Sequence, residues 1–159
     1  MITKSKGKTL LHLKNKTNVP ELILINANFF LKNKELVFKK ISKKFINKKI
    51  AIRSSSIDED TLKTTNAGKY KSFLNISSKD KNAVIDSILS VIKSYKNNNK
   101  NNEVIIQEML TNVRFSGVCT TVDIHNYLPV YTINYYVGSN TEVITSGQKN
   151  SFSISIADK

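Results

Sequence analysis

The spacing of the apolar residues changes near residue 103, and this change constrains the fold more than any other feature of the sequence. Before it, segments with helical spacing alternate with short apolar runs that are typical of strands. After it, the apolar segments are strand-like, and residues 152–156 alternate strictly between large apolar residues and serines. The pattern predicts an α+β fold in two lobes, mixed α/β in the first and an antiparallel sheet in the second.

The same spacings predict the individual elements. Helices are expected over residues 6–14, 29–45 and 80–95, and the last is the clearest because Ile85, Ile88 and Ile92 share one helical face. Strands are expected at residues 22–25, 49–53, 71–76, 104–109, 117–122, 130–136, 141–145 and 152–156. Residues 96–102 consist mostly of asparagine and lysine, which is typical of an exposed loop. The predicted organisation is therefore a first lobe at 1–96, an exposed loop at 97–102 and a second lobe at 103–159.

The charge of the chain is strongly basic, with a formal net charge of +13 and a pI of about 9.8. Only Arg53 and Arg114 are arginines, so nearly all of the positive charge is lysine spread through every polar segment. This distribution favours a solvated lysine coat over a nucleic-acid surface. A basic nucleic-acid-binding module stays open as an alternative function.

The chain has a single cysteine, Cys119, which excludes an internal disulfide and fits a reducing compartment. Its apolar flanks predict a buried structural thiol. The longest apolar stretch, residues 22–30, is interrupted by asparagines and is about half as long as a membrane span. We therefore expect a cytoplasmic protein without a membrane partner.

Residues 51–60 carry the clearest chemical signal. An apolar run leads into Arg53, which is followed by three serines, three acids and then, after a polar loop, Gly68. A guanidinium can grip phosphate oxygens with a planar fork of donors, and the serines add hydroxyl and N–H donors. The alternative is a helix N-cap with acids in its first turn. From spacing alone, both interpretations stand.

Other candidate motifs are weaker. Gly7-Lys8-Thr9 matches only the tail of a phosphate-binding P-loop, without the preceding glycine and strand. His12 and His125 have no neighbouring ligand at metal-binding spacing, so no zinc site is predicted.

Several motifs in order resemble one family. Arg53-Ser54-Ser55, Glu59-Asp60, Ala67-Gly68 and Phe73-Leu74-Asn75 together resemble a signature of phosphoenolpyruvate synthase and pyruvate phosphate dikinase, in their N-terminal ATP-grasp domain. Further matches are residues 104–109, Ser116-Gly117-Val118, Glu142 with Ser146-Gly147, and Lys6 with Leu10 and Leu13. The resemblance covers nearly the whole chain.

The resemblance implies an ATP site between two lobes. Arg53 would be the catalytic residue and would hold the phosphates together with Lys6, while Gln107, Glu108 and Leu110 would form the hinge beside adenine. The full implied set of nucleotide-binding residues is Lys6, Arg53, Ser54, Ser55, Ala67, Gly68, Gln107, Glu108, Leu110 and Glu142. Family members pass phosphate from ATP to a histidine and then to a small acceptor.

The departures from the family are equally specific. The chain reaches Lys159 without the glutamate and glutamine that bind Mg²⁺ in the family, and without its phospho-carrier histidine motif. We therefore expect the front portion of a larger phosphotransferase, inactive alone, with the Mg²⁺ ligands, the swivelling domain and the acceptor domain outside this chain. The lysine- and asparagine-rich character resembles divergent members linked to capsular phosphoramidate synthesis. That likeness implies the amide of glutamine as the acceptor, with pyruvate as the other candidate. A non-catalytic remnant that binds a partner chain is a third alternative.

Overall fold

The computed structural model describes residues 5–56, 60–61, 64–65, 70–95, 99, 101–122, 128–138 and 152–157. These residues lie in two compact units, Met1–Met109 and Leu110–Lys159. Both units contain antiparallel sheets, and the described helices all belong to the first unit. The predicted α+β class is confirmed.

The first unit is built around a four-stranded antiparallel sheet. Its elements are α1 (Lys6–Leu13), β1 (Leu22–Asn26), α2 (Ala27–Lys32), α3 (Lys34–Lys44), β2 (Lys49–Ser55), β3 (Asp60–Thr61), β4 (Thr64–Thr65), β5 (Ser72–Ser77), α4 (Lys81–Ser94) and β6 (Glu103–Glu108). The strand order is β1-β6-β2-β5, and β3 pairs with β4 in a separate two-stranded ladder. The last strand in sequence therefore lies between the first two.

The main core lies between this sheet and helices α2, α3 and α4. Apolar side chains from one face of the sheet interlock with those helices, and the fully buried ones among them are Phe30, Ile41, Phe45, Ile50, Ile52, Val84, Ile88, Val91, Val104 and Ile106. Such burial contributes roughly 1.5–3 kcal/mol for each large apolar side chain. The opposite face of the sheet is contacted by α1.

The helical spacing over residues 29–45 corresponds to two helices rather than one. Asn33 separates α2 from α3 with a φ of −135°, which is outside the helical region. Its side-chain amide donates a hydrogen bond to the carbonyl of Phe29 at 3.0 Å. Asparagine competes in this way with the helical hydrogen bonds, so the chain turns although the apolar period continues.

The boundary between the units differs from the expected division. Strand β6 lies in the first sheet, paired with β1 and β2, although its residues were expected in the second lobe. Asn102, expected in an exposed loop, is only 3% exposed. Its carbonyl accepts a hydrogen bond from the N–H of Ala27 at 2.9 Å, which fixes the entry to β6.

The second unit contains a three-stranded antiparallel sheet of β7 (Phe115–Thr120), β8 (Val130–Val137) and β9 (Phe152–Ala157). The pairing register places one set of side chains on a common face, which we call the apolar face of the second sheet: Phe115, Gly117, Cys119, Tyr131, Ile133, Tyr135, Val137, Phe152, Ile154 and Ile156. The described residues of this unit include no helix that covers it.

Cys119 lies on this apolar face and is exposed, so the prediction of a buried thiol is wrong. Its apolar neighbours specify a strand, but a strand pattern does not reveal whether a second layer covers its apolar side. The expected strand at residues 141–145 lies outside the described residues.

Candidate functional site

Three of the candidate residues share one face of the first sheet. Arg53 and Ser55 lie on β2. Ala51, two residues before Arg53 on the same strand, is paired with Gln107 of β6. Because alternate and directly opposed residues share a face, Arg53, Ser55 and Gln107 lie on the same side of the sheet. This is the side that α1 contacts, and we call it the α1 face.

The polar residues of the α1 face differ in exposure. Arg53 is exposed, whereas Gln107 is 9% exposed and Ser55 is fully buried. The face therefore presents one solvent-accessible guanidinium beside polar groups that are held inside the protein. A cation on a paired strand is well placed to meet an anionic ligand.

Helix α1 begins directly against this face. Ser5 precedes the helix, and its hydroxyl donates to Oε2 of Glu103 at 2.8 Å and accepts from the N–H of Lys8 at 3.4 Å. The N–H of Gly7 donates to Oγ of Ser55 at 2.9 Å. These contacts bring the first turn of α1, which carries the exposed Lys6, to the strand that carries Arg53.

The other end of α1 is held by a pair of lysines on one carboxylate. Glu21 contacts Nζ of Lys14, just beyond α1, at 2.5 Å and Nζ of Lys44, at the end of α3, at 2.8 Å. These two lysines lower the pKa of Glu21 from 4.5 to about 2, and the hydrogen bond from Lys14 has the larger effect. These exposed ion pairs connect the segment after α1 to the residue that precedes β1 and to the end of α3.

The serine segment after Arg53 is tied down by two residues that sequence reasoning missed. The hydroxyl of Tyr95 accepts from the N–H of Ser55 at 3.1 Å and donates to the carbonyl of Glu103. Ser56 donates through Oγ to Oδ1 of Asn102 at 3.0 Å. Neither partner could be identified from sequence, because Tyr95 follows an ordinary amphipathic helix and Asn102 ends a low-complexity run.

The helix-cap interpretation of the serines is wrong. Strand β2 continues through Ser55, and Asp60–Thr61 forms β3 rather than the first turn of a helix. The serines therefore complete a strand, and the strand directs Arg53 and Ser55 to the α1 face.

Two other candidates lie on the opposite side of the first sheet. Ser54 and Glu108 alternate onto the face that carries Ile50 and Ile52. The carboxylate of Glu108 contacts Nζ of Lys48 at 2.7 Å, and its N–H donates to the carbonyl of Glu21 at 2.9 Å. The backbone donor of Glu108 is thus engaged inside the protein.

The remaining candidates are not brought to this face by the described structure. Leu110 belongs to the second unit and is 64% exposed. Ala67, Gly68 and Glu142 lie outside the described residues. Among the residues that the structure does describe, no group of three His, Cys, Asp or Glu side chains is arranged to hold a metal ion. The helices within that part of the chain are all too short or too polar to cross a membrane.

Two motif residues have backbone roles that explain their identity. Asn75 adopts a φ of +60° in β5, where the β2–β5 register shifts, and asparagine tolerates this left-handed conformation better than most residues. Gly117 lies so close to β8 that a Cβ there would meet the carbonyl oxygen of Asn134 at 2.7 Å. Asparagine thus suits the irregular pairing of β5, and glycine suits the close approach of β7 to β8.

Comparison with known families agrees with the architecture. The family model for the pyruvate phosphate dikinase AMP/ATP-binding domain matches residues 30–156, which places the chain in the class of nucleotide-binding domains. The match covers most of the chain, and the chain belongs to this family. The resemblance drawn from the motifs is confirmed at the level of the family. A comparison with curated proteins gave no match.

Proposed function

We propose that this chain is the ATP-binding portion of a phosphotransferase in which phosphate passes from ATP through a histidine to a small acceptor. Arg53 and Lys6 would hold the phosphates, with Arg53 also acting in the transfer. The observation that carries the proposal is the α1 face, where the exposed Arg53 lies two residues along β2 from Ser55, the buried residue that binds the first turn of α1. Phosphoryl transfer requires such fixed positive charge because its transition state spreads negative charge over the phosphate oxygens.

The chain by itself is proposed to bind nucleotide without turning it over. Neither His12 nor His125 stands in a phospho-carrier motif. The metal chemistry and the acceptor site would come from other parts of the enzyme. Gln107, which shares the α1 face, and Ala67 and Gly68 are proposed as further contacts of the nucleotide.

The acceptor is proposed to be the amide nitrogen of glutamine, with pyruvate as the competing substrate. The support is the likeness of this lysine- and asparagine-rich sequence to the divergent members of the family. Phosphorus NMR of a complete enzyme carrying this domain, supplied with ATP and either acceptor, distinguishes the two. A phosphoramidate signal is expected with glutamine, and product formed only with pyruvate would contradict this assignment.

The ATP site is tested by replacing its exposed guanidinium. Arg53→Ala is expected to weaken ATP binding about tenfold or more, the typical loss for charge-assisted hydrogen bonds, as measured by titration calorimetry. Arg114→Ala, which removes the chain's other arginine from an exposed position in the second unit, is the matched control and should leave affinity unchanged. Equal loss in both variants, or none in Arg53→Ala, would contradict the proposal.

A further inference from the structure

The first turn of α1 lies unusually close to the sheet at Gly7. A Cβ at this position would collide with the side chain of Leu24 and would lie 3.0 Å from Oγ of Ser55 and 3.2 Å from Cγ1 of Ile105. Ile105 is fully buried in the central strand β6 and has little room to move. An alanine at this position would therefore displace the Leu24 side chain and crowd Ser55 and Ile105, whereas glycine lets the helix lie at this distance without any shift.

Ser55 makes its contacts inside the protein. The residue has no exposed surface, its hydroxyl accepts from the N–H of Gly7, and its own N–H donates to the hydroxyl of Tyr95. A buried hydroxyl in this arrangement cannot touch a ligand on the surface of the site. It can fix the position of the helix turn that donates to it.

Lys6 lies between these anchor points in sequence. Ser5 on one side is bound to Glu103, and Gly7 on the other side is bound to Ser55. The backbone of Lys6 is thus held at both neighbours while its side chain remains exposed. A long flexible lysine gains precision when its backbone is fixed, since less conformational freedom remains to be lost on binding.

We infer that Gly7 and Ser55 are positioning residues that act through Lys6: the close contact at Gly7 and its hydrogen bond to Ser55 set the height of α1 above the sheet and thereby direct the Lys6 ammonium to the phosphates of the nucleotide. This inference rests on the proposed function and deepens it. It changes the role of Ser55 from a phosphate ligand to a support for the neighbouring helix.

The inference predicts an effect opposite to that of helix propensity. Alanine is favoured over glycine inside a helix, so Gly7→Ala would strengthen α1 if the residue served only the helix. Positioning predicts instead that the added methyl group pushes the turn away from the sheet and weakens phosphate binding. Ser55→Ala should also weaken phosphate binding, because it removes the acceptor for the Gly7 N–H without adding bulk.

The experiment is a double-mutant cycle on nucleotide affinity. Gly7→Ala, Ser55→Ala and Lys6→Ala are each expected to weaken ATP binding by about tenfold, with adenosine binding unchanged, because the lost contact is to phosphate. Combining either positioning variant with Lys6→Ala should cause no further loss. Thr9→Ala, on an exposed part of α1, and Ser42→Ala, on α3, are the matched controls and should bind both ligands as wild type does. Circular dichroism checks that each variant is folded.

The outcomes separate this inference from the proposed function. Full additivity of Ser55→Ala with Lys6→Ala would show that Ser55 affects binding independently of Lys6, and would overturn the positioning role. Wild-type affinity in both Gly7→Ala and Ser55→Ala, with losses in Lys6→Ala and Arg53→Ala, would overturn this inference alone. Failure of the wild-type chain to bind ATP would overturn the proposed function and the inference together.

Discussion

The two main sheets of this chain are built from the same alternation of apolar and polar residues, but they differ in what covers them. The first sheet is covered by α2, α3 and α4 on one face and by α1 on the other. The second sheet presents an apolar face on which Phe152, Ile154 and Ile156 are about half exposed. Alternation therefore specifies which side of a strand is apolar, and only the neighbouring elements decide whether that side is buried.

The comparison also explains where the candidate site lies. Residues that must hold a ligand need supports that do not move, and the first sheet supplies them: Arg53 is on a strand paired on both sides, and Ser55 is fixed by Gly7 and Tyr95. In the described part of the second unit, Gly117 also belongs to a family motif, but its role there is to let β7 lie close to β8. The phosphate-binding residues are thus proposed on the better supported of the two sheets.

The largest expected change in stability comes from truncating a buried isoleucine of the first sheet, compared with an exposed isoleucine of the second. Ile52 is fully buried in the first core, whereas Ile154 is 47% exposed on the apolar face of the second sheet. Ile52→Ala should lower the free energy of unfolding by about 2–5 kcal/mol, because it removes packed methyl groups and leaves a cavity. Ile154→Ala should cost less than about 1 kcal/mol. Urea unfolding followed by circular dichroism measures both, and equal losses would mean that the apolar face of the second sheet is covered in solution.

The smallest expected effect concerns the ion pairs that Glu21 forms with Lys14 and Lys44. Since the pKa of Glu21 is lowered from 4.5 to about 2, its ion pairs stabilise the folded state above pH 4.5, and this contribution is lost as the pH falls towards 2. Glu21→Gln should therefore be less stable than wild type at pH 6, with the difference shrinking between pH 4.5 and 2. Because the pair is exposed, high salt should also reduce the difference. Urea midpoints at several pH values test this, and a difference that grows on acidification would contradict it.

Local rules predicted much of the fold. The helix ending at Ser94 follows from apolar spacing and from capping by Asp80, whose carboxylate accepts from the N–H of Ala83 at 3.0 Å. The strands expected at residues 49–53 and 152–156 are also present, and each extends one or two residues further, to Ser55 and Ala157. The position of β6 between β1 and β2 did not follow, because strand order depends on contacts between distant parts of the chain. The interruption at Asn33 was also missed, since the apolar period continues across it.

The candidate site was predictable in part for the same reason. Arg53 was identified because its apolar approach and polar continuation are local features of the sequence. The supports provided by Tyr95, Asn102 and Gly7 arise from tertiary contacts across 40 or more positions in the chain. The only local pattern at Gly7 is a partial match to a P-loop, which the missing glycine and strand exclude, and the structure shows the contact of a helix with a sheet. No local pattern indicates such a role.

The most direct test of the account is a map of where ATP contacts the folded chain. In a nitrogen-15 NMR titration with ATP, the largest amide shifts are expected at Gly7, Arg53 and Ser55, since the nucleotide phosphates are proposed to bind at the α1 face of the first sheet. Amides in the middle of α4, such as Ile88, lie on the opposite side of that sheet and should remain unchanged. Shifts concentrated in α3 and α4, or no shifts at all at saturating ATP, would contradict the central claim.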